Sequence, residues 1–144
     1  MAGKVRVLVI DDDVTLGNLL CMLLEKDGFE PLCATGGAEG LGIAQQERPD
    51  AIVLDLMLPL KDGLSVLEDL LSDPRTLGIP VVLLTAKTQL QDRLAGWRAG
   101  CVEYVTKPFS PVALTELVAR VAEMEPAERR AQRHRELGHL TPTD

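Results

Sequence analysis

The sequence predicts an α/β domain built on a buried parallel sheet. Three observations carry this. Short apolar runs alternate with helical patterns five times over, the loops between them are short, and the runs read as near-continuously apolar, as strands covered on both faces must. With 46% hydrophobic content in 144 residues, the chain suffices for one such domain and a tail.

Val5–Ile10 is a β-branched run that ends in three aspartates. From Val14 to Lys26, residues Leu16, Leu19, Leu20, Leu23 and Leu24 fall at helical spacing, and Gly28 stops the helix. Phe29–Ala34 is a second, weaker strand, and the Gly36-Gly37 turn opens a helix to about Arg48. Ala51–Leu54 forms the third run and ends at Asp55. A loop with Pro59 and Gly63 leads into a helix from Leu64 to Leu71, closed by Asp73-Pro74. Pro80–Leu84 is the fourth strand, ending at Thr85. Residues 89–99 are helical, with Leu90, Leu94 and Trp97 on a stripe that continues to Cys101. Val102–Thr106 is the fifth strand, followed by Lys107-Pro108. Ser110 and Pro111 supply an N-cap and first-turn proline for a helix to about Glu123. The pattern by itself leaves the strand order open.

The domain is expected over residues 4–124, with residues 125–144 as a charged helical tail or linker leading to an output domain absent from this chain. That tail holds four arginines, four acids and both histidines, and lacks an apolar stripe sufficient for docking. Its last four residues, Thr141 to Asp144, have the cap, proline and acid of a helix start with no helix after them. This suggests a chain cut from a longer one.

Composition excludes several functions. No apolar run approaches the ~18 residues of a membrane span, and Met1–Lys4 runs directly into structured sequence without a signal peptide. Fifteen basic against 22 acidic residues give a net charge of −7, which argues against nucleic-acid binding. Cys21, Cys33 and Cys101 sit among apolar neighbours and read as reduced core thiols of a cytoplasmic protein. His134 and His139 lie in the last eleven residues, so histidine catalysis in the core is excluded.

A parallel α/β sheet opens all its strand C-termini on one edge, where ligands bind. Here that edge collects Asp11, Asp12 and Asp13, then Asp55, Thr85 and Lys107. Each alone has an ordinary reading, as a helix cap, a strand-end threonine or a loop lysine. Together they form a cluster whose carboxylates repel one another, a strain that a divalent cation and an ammonium relieve. Oxygen donors without histidine or cysteine point to Mg²⁺. Phosphoryl transfer to a carboxylate uses every part of this set.

Four segments then carry a resemblance: Val9-Ile10-Asp11-Asp12-Asp13, Ile52-Val53-Leu54-Asp55-Leu56-Met57-Leu58-Pro59, Leu83-Leu84-Thr85-Ala86 and Tyr104-Val105-Thr106-Lys107-Pro108-Phe109. In order and spacing, from about Val5 to Glu123, the chain resembles the receiver domain of bacterial two-component response regulators. The resemblance implies a flavodoxin-like (βα)5 fold with strand order 2-1-3-4-5. It implies a phosphoacceptor at Asp55, charged by a histidine kinase or histidine phosphotransfer protein, in a switch that catalyses its own phosphorylation and loses the group slowly. Asp11, Asp12, Asp55 and the Met57 carbonyl would hold Mg²⁺, with Asp11 acting largely through water. Thr85, the Ala86 backbone and Lys107 would bind the phosphoryl group, Thr85 and Tyr104 would form the switch, and Lys107-Pro108 would be cis. Met57 and Lys87 stand where receivers tune phosphoryl lifetime. The switching face, residues 87–123, is unusually apolar, with Val102 and Val112 among its candidates for partner contact or a phosphorylation-dependent dimer. Cys101-Val102-Glu103 departs from the family's frequent Ala-Asp-Asp, and the final helix has no basic residue before Arg120, against the acid–base pairing of DNA-binding members' dimers.

Two rival readings use the same residues. Asp11-Asp12-Asp13-Val14-Thr15 also resembles the nucleophile motif of haloacid-dehalogenase-like phosphatases, with Asp11 as nucleophile and Thr85 and Lys107 as later motifs. No acidic pair follows a later strand, and Asp55 would be idle. A nucleotide site on Gly36, Gly37, Gly40 and Gly42 lacks the fingerprint after the first strand.

Overall fold

The β-branched and leucine-rich runs become five parallel strands in the order β2-β1-β3-β4-β5, seen in a computed structural model that describes residues 4–140. The strands are β1 (Arg6–Ile10), β2 (Glu30–Ala34), β3 (Ala51–Asp55), β4 (Val81–Thr85) and β5 (Glu103–Thr106). Between them run α1 (Val14–Lys26), α2 (Gly37–Glu47), α3 (Gly63–Ser72) and α4 (Leu90–Ala99), and α5 (Pro111–Glu123) follows β5. A sixth helix, α6 (Pro126–Leu140), follows. The Thr141 to Asp144 helix-start motif lies outside the described residues.

Alternation along the strands divides the core in two. Leu8, Ile10, Ile52, Leu54 and Leu83 face α2, α3 and α4, whereas Val7, Val9, Val53, Val82 and Leu84 face α1 and α5. Every residue of β3 and β4 is buried, and both runs are apolar up to their last residues, Asp55 and Thr85.

Local chemistry sets the helix ends. Asp13 Oδ1 accepts from Leu16 N at 3.1 Å to start α1, and Ser110 Oγ accepts from Ala113 N at 3.2 Å to start α5. Asp62 caps α3, which therefore begins at Gly63, one residue before the sequence expectation. Gly100, at φ 113°, ends α4 in the left-handed region that a side chain disfavours.

Several expectations change. Leu90 is 45% exposed, because the first turn of α4 stands off the sheet; only Gly96 and Trp97 of that helix are buried. Cys21 and Cys33 are joined by a disulfide and are not reduced core thiols: α1 packs along β2, bringing half-buried Cys21 beside exposed Cys33 on the α1 face of this edge strand. Only Cys101 is a free, buried thiol.

The tail also docks. Residues 129, 132, 133, 136, 137 and 140 of α6 are half-buried at helical spacing, and α6 packs chiefly on α4. Leu137 and Leu140 complete this stripe, but its remainder is arginine stems and polar side chains, which do not register as an apolar face.

Gly63 bears most directly on the site, since a Cβ there would stand 2.5 Å from both the Asp55 carbonyl oxygen and Leu56 Cα. Backbone cannot move aside cheaply. Gly63→Ala is expected to destabilise the protein by about 1–3 kcal/mol, measured by urea denaturation; an unchanged midpoint would mean that β3 and α3 separate freely.

Candidate functional site

The parallel register assembles the site. Ile10 pairs with Leu54 and Asp55 with Leu84, so Asp11, Asp55 and Thr85 fall at the carboxyl ends of three adjacent strands. β5 adds Lys107, whose N–H donates to the Thr85 carbonyl at 2.7 Å, and the Lys107-Pro108 bond that follows is cis.

Carboxylate oxygens of Asp11, Asp12 and Asp55 lie within 4.8 Å of one another. Asp11 and Asp55 are buried and Asp12 is exposed, so the cluster has two inner acids and one at the mouth. Lys107 Nζ donates to Asp55 Oδ2 at 3.0 Å and stands 3.6 Å from Asp11 Oδ2. The other Asp55 oxygen accepts from Met57 N at 2.8 Å, as Asp11 Oδ1 accepts from Asp13 N at 2.8 Å. Both inner carboxylates are thus oriented by the turn two residues further along the chain.

Burial, reinforced by the Asp55 charge, pushes the Asp11 carboxyl above the usual range, against the Asp13 N–H bond and Lys107. Burial opposes the charge on Lys107, but the hydrogen bond to Asp55 and the charges of Asp55 and Asp11 outweigh it and raise the ammonium's pKa.

The residues fit a hard cation. Asp11 Oδ2 is buried with no hydrogen-bond partner, and the available donors are all oxygen. An exposed groove beside the cluster is lined by Asp12, Leu56, Met57, Pro59, Asp62 and Lys87. It opens the cluster to solvent.

Thr85 is fully buried, and its Oγ1 accepts from Lys87 N at 3.0 Å. Tyr104 OH in turn donates to the Lys87 carbonyl at 2.9 Å. Burial of this ring pushes the phenol up to about 12. The Lys87 backbone is therefore the link between the two, a role with no side-chain signal in the sequence. Ala86 is exposed in the same loop. Val102 is buried, its carbonyl accepting from Gln132 of α6, and so is not part of an open apolar face; Val112, at the start of α5, is 57% exposed.

The rivals find no support. Gly37 and Gly40 pack against Val66 and Ile10, with no room for even a Cβ, so those glycines seat α2 on the core.

Strand order, sheet edge and acid–lysine cluster together define a flavodoxin-like module of phosphorelay signal transduction. The chain belongs to the response regulator receiver domain family, which matches residues 7–119. It is 44% identical over 116 residues to the dual master transcriptional regulator RpaA of Synechocystis, covering 81% of this chain and 47% of RpaA. It is 42% identical over 129 residues to the response regulator MtrA of Mycolicibacterium smegmatis, covering 85% of this chain and 54% of MtrA. The chain thus spans about half the length of these relatives. Among solved structures, the Francisella response regulator 1452 receiver domain superposes with a TM-score of 0.78 at 31% identity, over 83% of this chain and 98% of that one. Vibrio cholerae CheY4 superposes at 0.77 with 27% identity, over 82% and 98%. Receiver domains are in general Mg²⁺-dependent, and response regulators partner with histidine kinases. No helix among the described residues is long and apolar enough to cross a membrane.

Asp11→Asn keeps an oxygen for Asp13 N and removes a buried charge. In Mg²⁺-free buffer it is expected to raise stability by about 1 kcal/mol, seen as a higher thermal midpoint; a lower midpoint would show that the Lys107 contact outweighs the burial cost.

Proposed function

We propose that Asp55 is the phosphoacceptor of a signalling switch, receiving its phosphoryl group from a histidine kinase or histidine phosphotransfer protein. The contact that carries this reading is Lys107 Nζ at 3.0 Å from Asp55 Oδ2 inside the acid cluster. An Asp55 oxygen attacks phosphorus, the phosphorus–nitrogen bond of the donor phosphohistidine breaks, and the electron pair leaves with the imidazole. Lys107 turns from its carboxylate partner to the incoming phosphoryl oxygens as their charge develops. Thr85 donates its hydroxyl and Ala86 its N–H to the remaining oxygens. Asp12, Asp55 and the Met57 carbonyl would hold Mg²⁺, with Asp11 acting through water, and the ion would supply charge neutralisation on the phosphoryl group.

The acceptor is its own catalyst, so small phosphodonors suffice, and the phosphoryl group is lost slowly by hydrolysis. The phosphoryl group adds about −1.5 to −2 charges at Asp55. Drawing Thr85 toward it disturbs the Lys87 peptide and with it the Tyr104 hydroxyl, which moves the face around α4, β5 and α5. On this reading the receiver core closes with α5 near residue 124, α6 is docked on it, and an output domain or partner protein is what it controls. RpaA and MtrA are DNA-binding regulators; with a net charge of −7, this chain acts on such an output through protein contacts or a phosphorylation-dependent dimer and does not bind DNA itself. The cytoplasm is the compartment in which such a partner kinase would meet it.

Incubation with acetyl phosphate and Mg²⁺ is expected to add one phosphoryl group by intact mass, lost in Asp55→Asn and largely lost in Asp12→Ala. Labelling that survives in Asp55→Asn and vanishes in Asp11→Asn would move the nucleophile to Asp11. Beryllofluoride with Mg²⁺, a stand-in for the phosphoryl group, should change Trp97 fluorescence. Thr85→Ala should bind it with a much smaller change, and an equal change would uncouple Thr85 from α4.

A further inference from the structure

β2 lies at one edge of the sheet, and Ala34 is its one buried residue. α1 packs along it, with Leu20 and Leu24 in the core. Between these elements runs the disulfide from Cys21 to Cys33, spanning 12 residues of sequence. Cys21 is half-buried against the core, whereas Cys33 is exposed. The acid run Asp11-Asp12-Asp13 thus lies between two ties to β2. On one side the Asp11 N–H donates to the Ala34 carbonyl at 3.1 Å, and on the other α1, which Asp13 caps, is bonded covalently to Cys33.

We propose that the Cys21–Cys33 bridge is a thiol-exchange site, which a small-molecule thiol opens through the exposed Cys33 and so unties α1 from β2. A permanent staple belongs inside a core or in an oxidising compartment. The cytoplasm, where a partner kinase would meet this chain, is kept reducing by thiols, and a solvent-exposed bridge there is open to attack. The external thiolate attacks Cys33 Sγ, the sulfur–sulfur bond breaks, and the electron pair leaves on Cys21 Sγ, which takes up a proton. A second thiolate attacks the outer sulfur of the mixed disulfide and releases Cys33 as a thiol. The protein bridge is reduced by two electrons and two small thiols are oxidised to their disulfide, which closes the bridge again by the reverse path. Cys101 takes no part: it is buried, and burial pushes its thiol up and away from the reactive thiolate. Reduction removes the covalent tie and leaves the Asp11–Ala34 bond, so the acid cluster stays assembled while α1 keeps only its noncovalent packing. The exchange needs no phosphoryl group.

The test uses the full chain, first oxidised with glutathione disulfide and then titrated with glutathione under native conditions. Alkylation and intact mass are expected to show two thiols appearing together, and to lose them when glutathione disulfide is restored. On reduction the thermal midpoint should fall by roughly 4–16 °C, and hydrogen exchange should accelerate in α1 and β2 while β1 and β3 stay protected. The double variant Cys21→Ser/Cys33→Ser should match the reduced wild type and ignore glutathione. In single variants, Cys33 of Cys21→Ser should take up glutathione faster than Cys21 of Cys33→Ser, and the reverse order would overturn entry through Cys33. A bridge that glutathione disulfide does not form, or that glutathione opens only after urea unfolds the chain, overturns the exchange site. Reduction that leaves both the midpoint and α1 exchange unchanged overturns the tie.

Discussion

Two buried carboxylates facing one ammonium form the constraint on which the rest of the molecule depends. Asp11 and Asp55 are each almost wholly removed from water, and Lys107 is the cation that reaches both. Of the two contacts the one to Asp55 is the hydrogen-bonded pair at 3.0 Å, while Asp11 stands at 3.6 Å with one oxygen unpartnered. The surrounding geometry holds all three in place: strand register aligns Asp11 with Asp55, turn N–H groups orient both, and the Lys107 N–H is bonded to the end of β4. A site of this kind is poised because its ground state is a compromise. The ammonium satisfies one carboxylate well and the other poorly, and an arriving anion and cation can rearrange the same charges into a better-matched set.

The route outward from this cluster is made of backbone as much as side chains. Thr85 and Tyr104 do not touch the same atom, yet both bond the Lys87 backbone, one at its N–H and the other at its carbonyl. A displacement at the end of β4 therefore reaches β5 without passing through the sheet. α4 covers this link, anchored mainly by Trp97 and the close approach of Gly96 to the Tyr104 ring. Few buried contacts on a helix mean low local stability. α6 changes that balance by adding contacts on the outer side of α4.

Much of this was legible in the chain order. Uninterrupted apolar runs specify strands buried on both faces, and Asp13, Asp62 and Ser110 specify helix starts through a single local hydrogen bond each. The convergence of Asp11, Asp12, Asp55, Thr85 and Lys107 on one edge follows from parallel strands alone, because every such strand ends on the same side. These are consequences of local sequence or of a symmetry of the fold.

Other features depend on which surfaces meet in space. The Cys21–Cys33 disulfide joins α1 to the edge strand β2 beneath it, and the apolar neighbours of each cysteine carried no sign of the other. Exposure of Leu90 depends on where α4 lifts from the sheet, although its spacing suits the buried stripe. α6 docks through arginine stems, one glutamine and two leucines, so hydrophobic patterning reads it as solvated while its position against α4 and β5 buries it. The sequence by itself determined the strands, the helix caps and the residues gathered at the sheet edge, since each rests on near neighbours or strand direction. Only the tertiary structure decided the Thr85–Lys87–Tyr104 link, the disulfide and the docked tail, because those depend on long-range contacts between polar or amphipathic groups that local periodicity does not encode.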